Sequence, residues 1–446
     1  MAVKASASPI AWPTPKEAAQ SYATLIAPLA LLVVADRQLV TLFVKAGIKF
    51  PSALAGMAVI FTGLCTLAAV DQGKADRIVD FFRPALDFIE RWLSLFYVPS
   101  LVMLPLAGLP SFLETTKILG ILVAGFFLSV GITGKAVLAA RSVMGTEYAP
   151  TDIPESRPAP GMGYIQVWGG VTAAAFALFV VVGGAQMPAA RGSFAQLSSS
   201  LFLLGSTVLG YLGGLKLPAD IKKVLHPILV TSLGALLGNL ALSVVSGAPF
   251  LGVLGSYKMG LAFTGAGDVL MGMLGSVILS FAFQMYARRG LILRHAGEMI
   301  GACLASALFG MFSTAALGRL LGLKPSLVLA LVPRSITVAL ALPIGDMLGA
   351  SAYSAITASS VVLTGLVGAN FILQAVDAFG FKDPITRGIA CASASHGLGT
   401  AALVSKERDA LPYCAIAYGL TGILAATLAS MPPIQVALAA LAGAPM

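Results

Sequence analysis

Long apolar runs separated by short polar segments cover most of the chain. Each run is close to the roughly 20 residues that a helix needs to cross the hydrocarbon core of a bilayer. Several contain glycine or proline where a helix would break. The pattern predicts an all-α polytopic membrane protein of about 12 transmembrane helices, with broken helices in the C-terminal half. The runs lie at about 21–44, 51–70, 92–109, 112–133, 164–185, 197–214, 221–245, 268–287, 296–321, 326–348, 354–378, 385–404 and 412–431.

The polar segments predict the domain organisation. Residues 1–20 are acid-poor before Glu17 and form a flexible tail, or the remnant of a transit peptide. Residues 71–91 carry apolar side chains at helical spacing, which is typical of a helix lying along the membrane interface. Residues 146–163 are rich in proline and polar side chains and form a linker. We therefore expect one membrane domain at 21–145 and a second at 164–446.

The composition excludes several classes of protein. Of the 446 residues, 58% are hydrophobic and 11% are charged, whereas soluble domains carry about 25% charged residues. This rules out a soluble enzyme, a nucleic-acid-binding domain and a disordered scaffold. The net charge of +9 comes from basic residues scattered through short loops, which is how orientation in a bilayer is set. Four scattered cysteines and three histidines predict neither a zinc site nor a disulfide framework.

Two prolines mark the first candidate site, in the sequence LVPRSITVALALPIGD. Pro333 and Pro343 bracket an apolar stretch with Arg334, Ser335 and Thr337, and proline removes a backbone donor, so we expect an interrupted span here. Interrupted helices in transporters point free N–H groups at anionic substrates, and the arginine fork fits a carboxylate. These three polar residues are therefore predicted to bind substrate. The alternative is that Arg334 extends to a nearby interface.

A second candidate site lies in GIACASASHGLGTAALVSK. Small residues at this density disfavour a continuous helix and expose the backbone to a cavity. The histidine could bind a substrate hydroxyl or carry a proton, or it could only tie two helices together. The predicted substrate-binding residues are Ser393, Ser395, His396, Gly397, Gly399 and Thr400.

Polar residues within the spans suggest two further roles. Asp268, in TGAGDVLMG, is a second candidate for a proton or ion site after His396, with simple solvation at the end of a span as the alternative. A role for Ser393 or Ser395 as the nucleophile of a serine hydrolase is disfavoured. Ser395 directly precedes His396, and the side chains of two adjacent residues diverge on most backbones.

These same residues carry a family resemblance. The segments GDVLMGMLGSVILSFAFQMYARRG, PSLVLALVPRSITVALALPI, TGLVGANF, DPITRGIACASASHGLGTAALVSKE and ALPYCAIAYGLTGI resemble the LrgB family of membrane proteins, and IKFPSALAGM resembles the companion LrgA family. The presence of LrgA-like and LrgB-like segments in one chain resembles the LrgA/LrgB fusion family of plastidal glycolate/glycerate translocators. The 21–145 domain would then be LrgA-like, and the 164–446 domain would be the LrgB-like transport domain.

The resemblance implies a carrier in the chloroplast inner envelope membrane that exports glycolate and imports glycerate for photorespiration. It implies no cofactor and no nucleic-acid partner. We expect a homodimer in the lipid bilayer, with proton coupling as an open question. A holin-like pore or regulator of murein hydrolases remains an alternative, and so does the disfavoured intramembrane serine hydrolase.

Overall fold

In the computed structural model, the described residues are 15–48, 50–106, 108, 110–146, 162–181, 194–218, 221–222, 225–260, 264–404 and 406–444. Within them the secondary structure is helical and contains no strand, which confirms the all-α prediction. Eleven helices in these ranges are long and apolar enough to cross a membrane, and two shorter apolar helices accompany them. Residues 1–14 of the tail expected at 1–20, and residues 147–161 of the linker expected at 146–163, lie outside the described residues, whereas residues 15–20 belong to the first helix, Pro15–Lys45.

The first half of the chain contains helices of very different lengths. Between α4 and its neighbours lie 3-10 turns at Leu93–Tyr97 and Leu104–Leu106, so the run predicted at 92–109 is not one continuous helix. Pro99 and Pro105 fall in these short pieces, and proline cannot donate the bonds that would join them. The helices are α1 (Pro15–Lys45), α2 (Ser52–Val70), α3 (Gln72–Trp92), α4 (Val98–Val102), α5 (Phe112–Met144), α6 (Met162–Val181), α7 (Phe194–Lys216), α8 (Pro227–Ser246) and α9 (Phe250–Tyr257).

The second half has more short helices between the long ones. The runs predicted at 268–287 and 326–348 are each divided into two helices, and a final helix follows the last predicted run. The helices are α10 (Ala266–Met271), α11 (Leu274–Ala287), α12 (Arg289–Arg294), α13 (Ala296–Leu320), α14 (Pro325–Leu331), α15 (Val338–Met347), α16 (Ser354–Ala378), α17 (Pro384–Val404), α18 (Leu411–Ala429) and α19 (Pro432–Ala442).

The chain forms two compact units that alternate along the sequence. The first comprises Met1–Leu31, Asp80–Val102 and Glu155–Met273. Its centre is α7, which packs against α6 and α8. Gly210 of α7 and Gly234 of α8 lie so close that a side chain on either would meet the backbone of the other helix.

A histidine begins α8 in this first unit. Nδ1 of His226 accepts a hydrogen bond from the backbone N–H of Ile228 at 3.3 Å, and so caps the helix. Burial lowers the pKa of His226 to about 4. The ring is therefore neutral at physiological pH and keeps the lone pair that the cap requires.

The second unit comprises Leu32–Val79, Met103–Pro154 and Leu274–Met446. Helices α5, α13, α16, α17 and α18 pack against one another around a buried apolar core that includes Phe126, Val130, Ile389 and Tyr413. Helix α11 packs against α2, α15 and α18 in the same unit. Both segments that the sequence marks as broken lie in this unit.

Candidate functional site

The first broken segment separates α14 from α15. Helix α14 ends at Leu331 and α15 begins at Val338, and residues between them form turns. The backbone N–H of Arg334 donates to the carbonyl oxygen of Leu331 at 3.0 Å instead of continuing the α-helical pattern. The predicted interruption therefore occurs at Pro333. At Pro343, by contrast, α15 continues without a break.

Arg334 is buried within the protein. Its side chain is 1% exposed, so it does not extend to the membrane interface. Nε donates to Oγ1 of Thr314 on α13 at 3.0 Å, and Nη2 donates to Oγ of Ser129 on α5 at 3.4 Å. Nη1 is buried and has no hydrogen-bond partner, and no carboxylate among the described residues forms an ion pair with this guanidinium. Arg334 is thus a buried cation surrounded by hydroxyl groups.

A stripe of small residues on α5 makes room for the guanidinium. Gly125, Ser129 and Thr133 recur every fourth residue and share one face of the helix. A Cβ atom at Gly125 would lie 2.5 Å from Cζ of Arg334, which is too close for a real contact. Sequence reasoning missed these residues, although their small-residue spacing is the usual signal for close helix packing in membranes.

The second broken segment lies within α17. Ser395 (φ −141°, ψ 15°) and His396 (φ 46°, ψ −145°) have non-helical backbones, so α17 consists of two pieces joined at a kink. His396 is the one non-glycine residue with positive φ in the described part of the chain. The small-residue density that predicts a discontinuity therefore coincides with a real one.

The side chain of His396 is held against α16. The ring is 5% exposed, and its Nε2 lies 2.9 Å from the carbonyl oxygen of Val361. A Cβ at Gly365 would lie 2.6 Å from Cε1 of the ring. Since a carbonyl oxygen only accepts, Nε2 carries a proton in this arrangement. The predicted proton-handling role of His396 stays a prediction.

The serines of α17 are engaged in local hydrogen bonds. Ser395 Oγ donates to the carbonyl oxygen of Cys391 at 2.9 Å and packs against Gly368 and Gly399. Ser393 Oγ lies 2.8 Å from Oγ1 of Thr421 on α18. Both hydroxyls therefore bond to a backbone carbonyl or to another hydroxyl. Neither is directed at a general base, as the nucleophile of a hydrolase would be.

The remaining predicted residues line the two breaks in different ways. Thr400 Oγ1 donates to the carbonyl oxygen of His396 at 2.9 Å, within the piece of α17 that follows the kink. Gly397 is exposed, with open space beside it. Ser335 and Thr337 are buried, and Thr337 is the N-cap residue of α15 although its side chain makes no capping bond.

Two neighbouring helices bring the breaks together. On α18, Thr421 bonds to Ser393 while the adjacent Gly422 packs against Ile336. On α5, Gly125 contacts Arg334 while the adjacent Phe126 lies near Gly368, against which Ser395 packs. Adjacent residues of one helix contact different segments, so α5 and α18 each connect the two breaks.

Asp268 lies in the first unit, and Arg334 and His396 lie in the second. Its carboxylate accepts hydrogen bonds from the backbone N–H groups of Met259 at 2.8 Å, Gly260 at 2.9 Å and Gly265 at 3.1 Å. These bonds fix the turn before α10. They support a structural role, and a proton or ion role for Asp268 stays a prediction. No group of three potential metal ligands occurs in the part of the chain that the structure describes.

Comparison with known proteins identifies a family and several relatives. Residues 207–433 match the model of the LrgB-like family. The chain is 46% identical over 423 residues to "Plastidal glycolate/glycerate translocator 1, chloroplastic" of Arabidopsis thaliana, covering 94% of this chain and 81% of that protein. No solved structure matches.

Two bacterial relatives match a shorter stretch. The uncharacterized protein YwbG of Bacillus subtilis is 33% identical over 207 residues, which is 45% of this chain and 81% of that protein. An uncharacterized protein of Haemophilus influenzae is 31% identical over 157 residues, which is 35% of this chain and 67% of that protein. The family model covers half of the chain and the plant relative matches nearly all of it. The chain therefore belongs to the LrgB-like family.

Proposed function

We propose that this protein is a secondary transporter of small 2-hydroxycarboxylates, which exchanges glycolate and glycerate across the chloroplast inner envelope membrane. The name and the extent of the Arabidopsis relative support this assignment. The short coverage of the bacterial relatives supports a chain made of an LrgA-like part at 21–145 and an LrgB-like part at 164–446. We further propose that it works as a homodimer.

The observation that carries the proposal is the buried, unpaired guanidinium of Arg334. An isolated buried charge costs several kcal/mol unless an opposite charge compensates it. The hydroxyls of Thr314 and Ser129 compensate only in part, and no described residue offers Nη1 an acceptor. A monocarboxylate substrate would supply both the missing charge and the missing acceptor, as a bidentate pair where geometry allows.

The 2-hydroxyl of the substrate requires a partner that can donate or accept. Ser335, Thr337 and the hydroxyl of Ser129 are available near the first break. We assign the second break, with Ser393, Ser395, His396, Gly397, Gly399 and Thr400, to the opposite wall of the same site. Arg334, Ser335, Thr337 and His396 are all less than a tenth exposed, so the site opens by movement of the broken segments.

The test is counterflow in liposomes that contain the purified protein. Liposomes loaded with unlabelled glycerate should accumulate labelled glycolate in a saturable manner. Arg334→Ala removes hydrogen bonds to a charged group, which are worth roughly 1.5–3 kcal/mol each, so substrate affinity should fall about tenfold to hundredfold. Arg334→Lys should retain only part of the wild-type substrate affinity, because lysine keeps the charge and loses the planar fork.

Arg319→Lys is the matched control. Arg319 lies on α13, is exposed and donates to the carbonyl oxygen of Ala440 at 2.7 Å, so its substitution should leave exchange intact. Unchanged exchange in both Arg334 variants would remove Arg334 from the site. Non-saturable leakage of unrelated solutes from the wild-type liposomes would instead support the holin-like pore, and labelling of Ser393 or Ser395 by a serine-directed probe would support the hydrolase.

A further inference from the structure

Asp36 is an acidic residue in the middle of a membrane span. The candidate span Thr24–Lys45 contains it near its centre. Its side chain is 6% exposed and continues the buried face formed by Leu25, Pro28 and Leu32. Ionisable residues at this depth are costly and their usual purpose is functional.

The packing of three helices fixes the position of this carboxylate. Leu39 of α1 and Leu279 of α11 both meet Gly56 of α2. Asp36 lies one turn before Leu39 on α1, and Gly275 lies one turn before Leu279 on α11. The Asp36 carboxylate packs against Gly275 and fills the space that a side chain at position 275 would need. Asp36 and Leu39 share one face of α1, and Gly275 and Leu279 share one face of α11. The carboxylate is therefore held between α1 and the first turn of α11.

No direct ion pair or hydrogen bond compensates the charge of Asp36 among the described residues. Arg37 follows it directly and its charge attracts the carboxylate, but the two side chains point about 100° apart around the helix and form no ion pair. The titratable groups on the contacting helices are Cys65 on α2 and Tyr286 on α11. A buried carboxylate without a direct ion pair or hydrogen bond is stabilised by binding a proton, which removes the charge.

Helix α11 connects Asp36 to the proposed substrate site. Its first turn contacts the carboxylate, and the same helix packs against α15, whose N-terminal end follows the break at Arg334–Thr337. The partial positive charge at the start of α11 attracts an ionised Asp36 and loses that attraction when the carboxylate is neutral. Protonation of Asp36 therefore changes the contact between α1 and α11.

We propose that Asp36 is a proton-binding site that couples net substrate movement to movement of one proton, a proposal that rests on the transport function above. The carboxylate takes up a proton from one side of the membrane to become a carboxylic acid, and releases it to the other side. Exchange of two monoanions is electroneutral without a proton. Net entry of one monoanion becomes electroneutral when one proton accompanies it.

The experiment measures proton-coupled net uptake and substrate exchange separately in the same kind of liposome. Net uptake of labelled glycolate is measured in empty liposomes with an acidic exterior and an alkaline interior, with an entrapped pH dye to follow the proton. Counterflow is measured at equal pH with saturating internal glycerate. Asp36→Asn should reduce gradient-driven uptake and interior acidification at least about tenfold while counterflow stays within about threefold. Asp36→Glu should retain both.

Three further variants complete the set. Asp71→Asn removes a half-exposed acid that pairs with Lys74 and should change neither gradient-driven uptake nor counterflow. Gly275→Ala should impair gradient-driven uptake because its methyl group displaces the carboxylate, whereas Gly63→Ala on α2 meets open space and should not.

The outcomes of this experiment discriminate between the two proposals. Wild-type protein without counterflow would reject the proposed function itself. Counterflow without any gradient-driven uptake in the wild type would overturn the role of Asp36 alone. The same holds if Asp36→Asn retains gradient-driven uptake, or loses both modes equally, since an equal loss indicates a structural role.

Discussion

The nitrogen atoms of the Arg334 guanidinium have three different environments. Nε bonds to Thr314, Nη2 bonds to Ser129, and Nη1 has no partner within the part of the chain that the structure describes. The two bonds hold the plane of the guanidinium between α5 and α13, so the direction of Nη1 is fixed by the protein. A preoriented donor loses less conformational entropy when a ligand binds, which favours recognition of a small anion with few contacts of its own.

Gly125→Ala tests the space that α5 leaves for this guanidinium. The added methyl group would overlap Nη2 and Cζ of Arg334, so the guanidinium must shift and the apparent affinity for glycolate should fall about tenfold. The control is Gly120→Ala on the same helix, where a Cβ meets nothing within 4 Å. That change should leave transport intact and stabilise the helix by about 0.5–1 kcal/mol. Equal transport by both variants would show that the close approach of α5 is dispensable.

At the scale of single helices, the breaks in α14–α15 and α17 have different causes. Pro333 ends a hydrogen-bonded pattern because proline has no N–H to donate. In α17 no proline is present between Ile385 and Val404, and the break depends on the unusual backbone of His396. A positive φ at a non-glycine residue costs about 1–3 kcal/mol and persists only where surrounding contacts hold it, often at functional sites.

Substitution of His396 by glycine or alanine separates the backbone from the ring. Glycine adopts positive φ without strain, so His396→Gly should be more stable than His396→Ala by about 1 kcal/mol, measured as a higher melting temperature of the purified protein in detergent. Both variants lose the contact with Val361 and Gly365 and should lose transport. Full transport by His396→Gly would assign the role of this position to the kink alone.

The sequence predicts the breaks better than it predicts their partners. Pro333 and the Ser/Gly cluster at 393–400 are local signals, and local signals are sufficient to mark where a helix stops. The partners of Arg334, Gly125 and Ser129, are distant in sequence, and their contacts depend on which helices pack together. Asp36 is visible in the sequence as an acid in an apolar run, but its unpaired state depends on the absence of charge across α2 and α11, which only the packing reveals.

At the scale of the whole molecule, the second unit is assembled from three separate stretches of chain. Helix α5 comes from the part for which the sequence predicts an LrgA-like domain, yet it packs against α13, α16 and α17 and contacts Arg334. The family match begins only at residue 207. The part of the chain that carries the LrgB-like match therefore lacks one wall of the proposed site.

This arrangement predicts how a divided chain will behave. A protease site inserted within residues 147–161, followed by cleavage of the purified protein, should leave glycolate counterflow intact. The helices stay associated after the cut because buried apolar contacts hold α5 against its neighbours. The fragment that starts at residue 162, expressed alone, should lack counterflow because Gly125 and Ser129 are missing. Co-expression with residues 1–146 should restore it, whereas transport by the lone fragment would show that α5 is no part of the site.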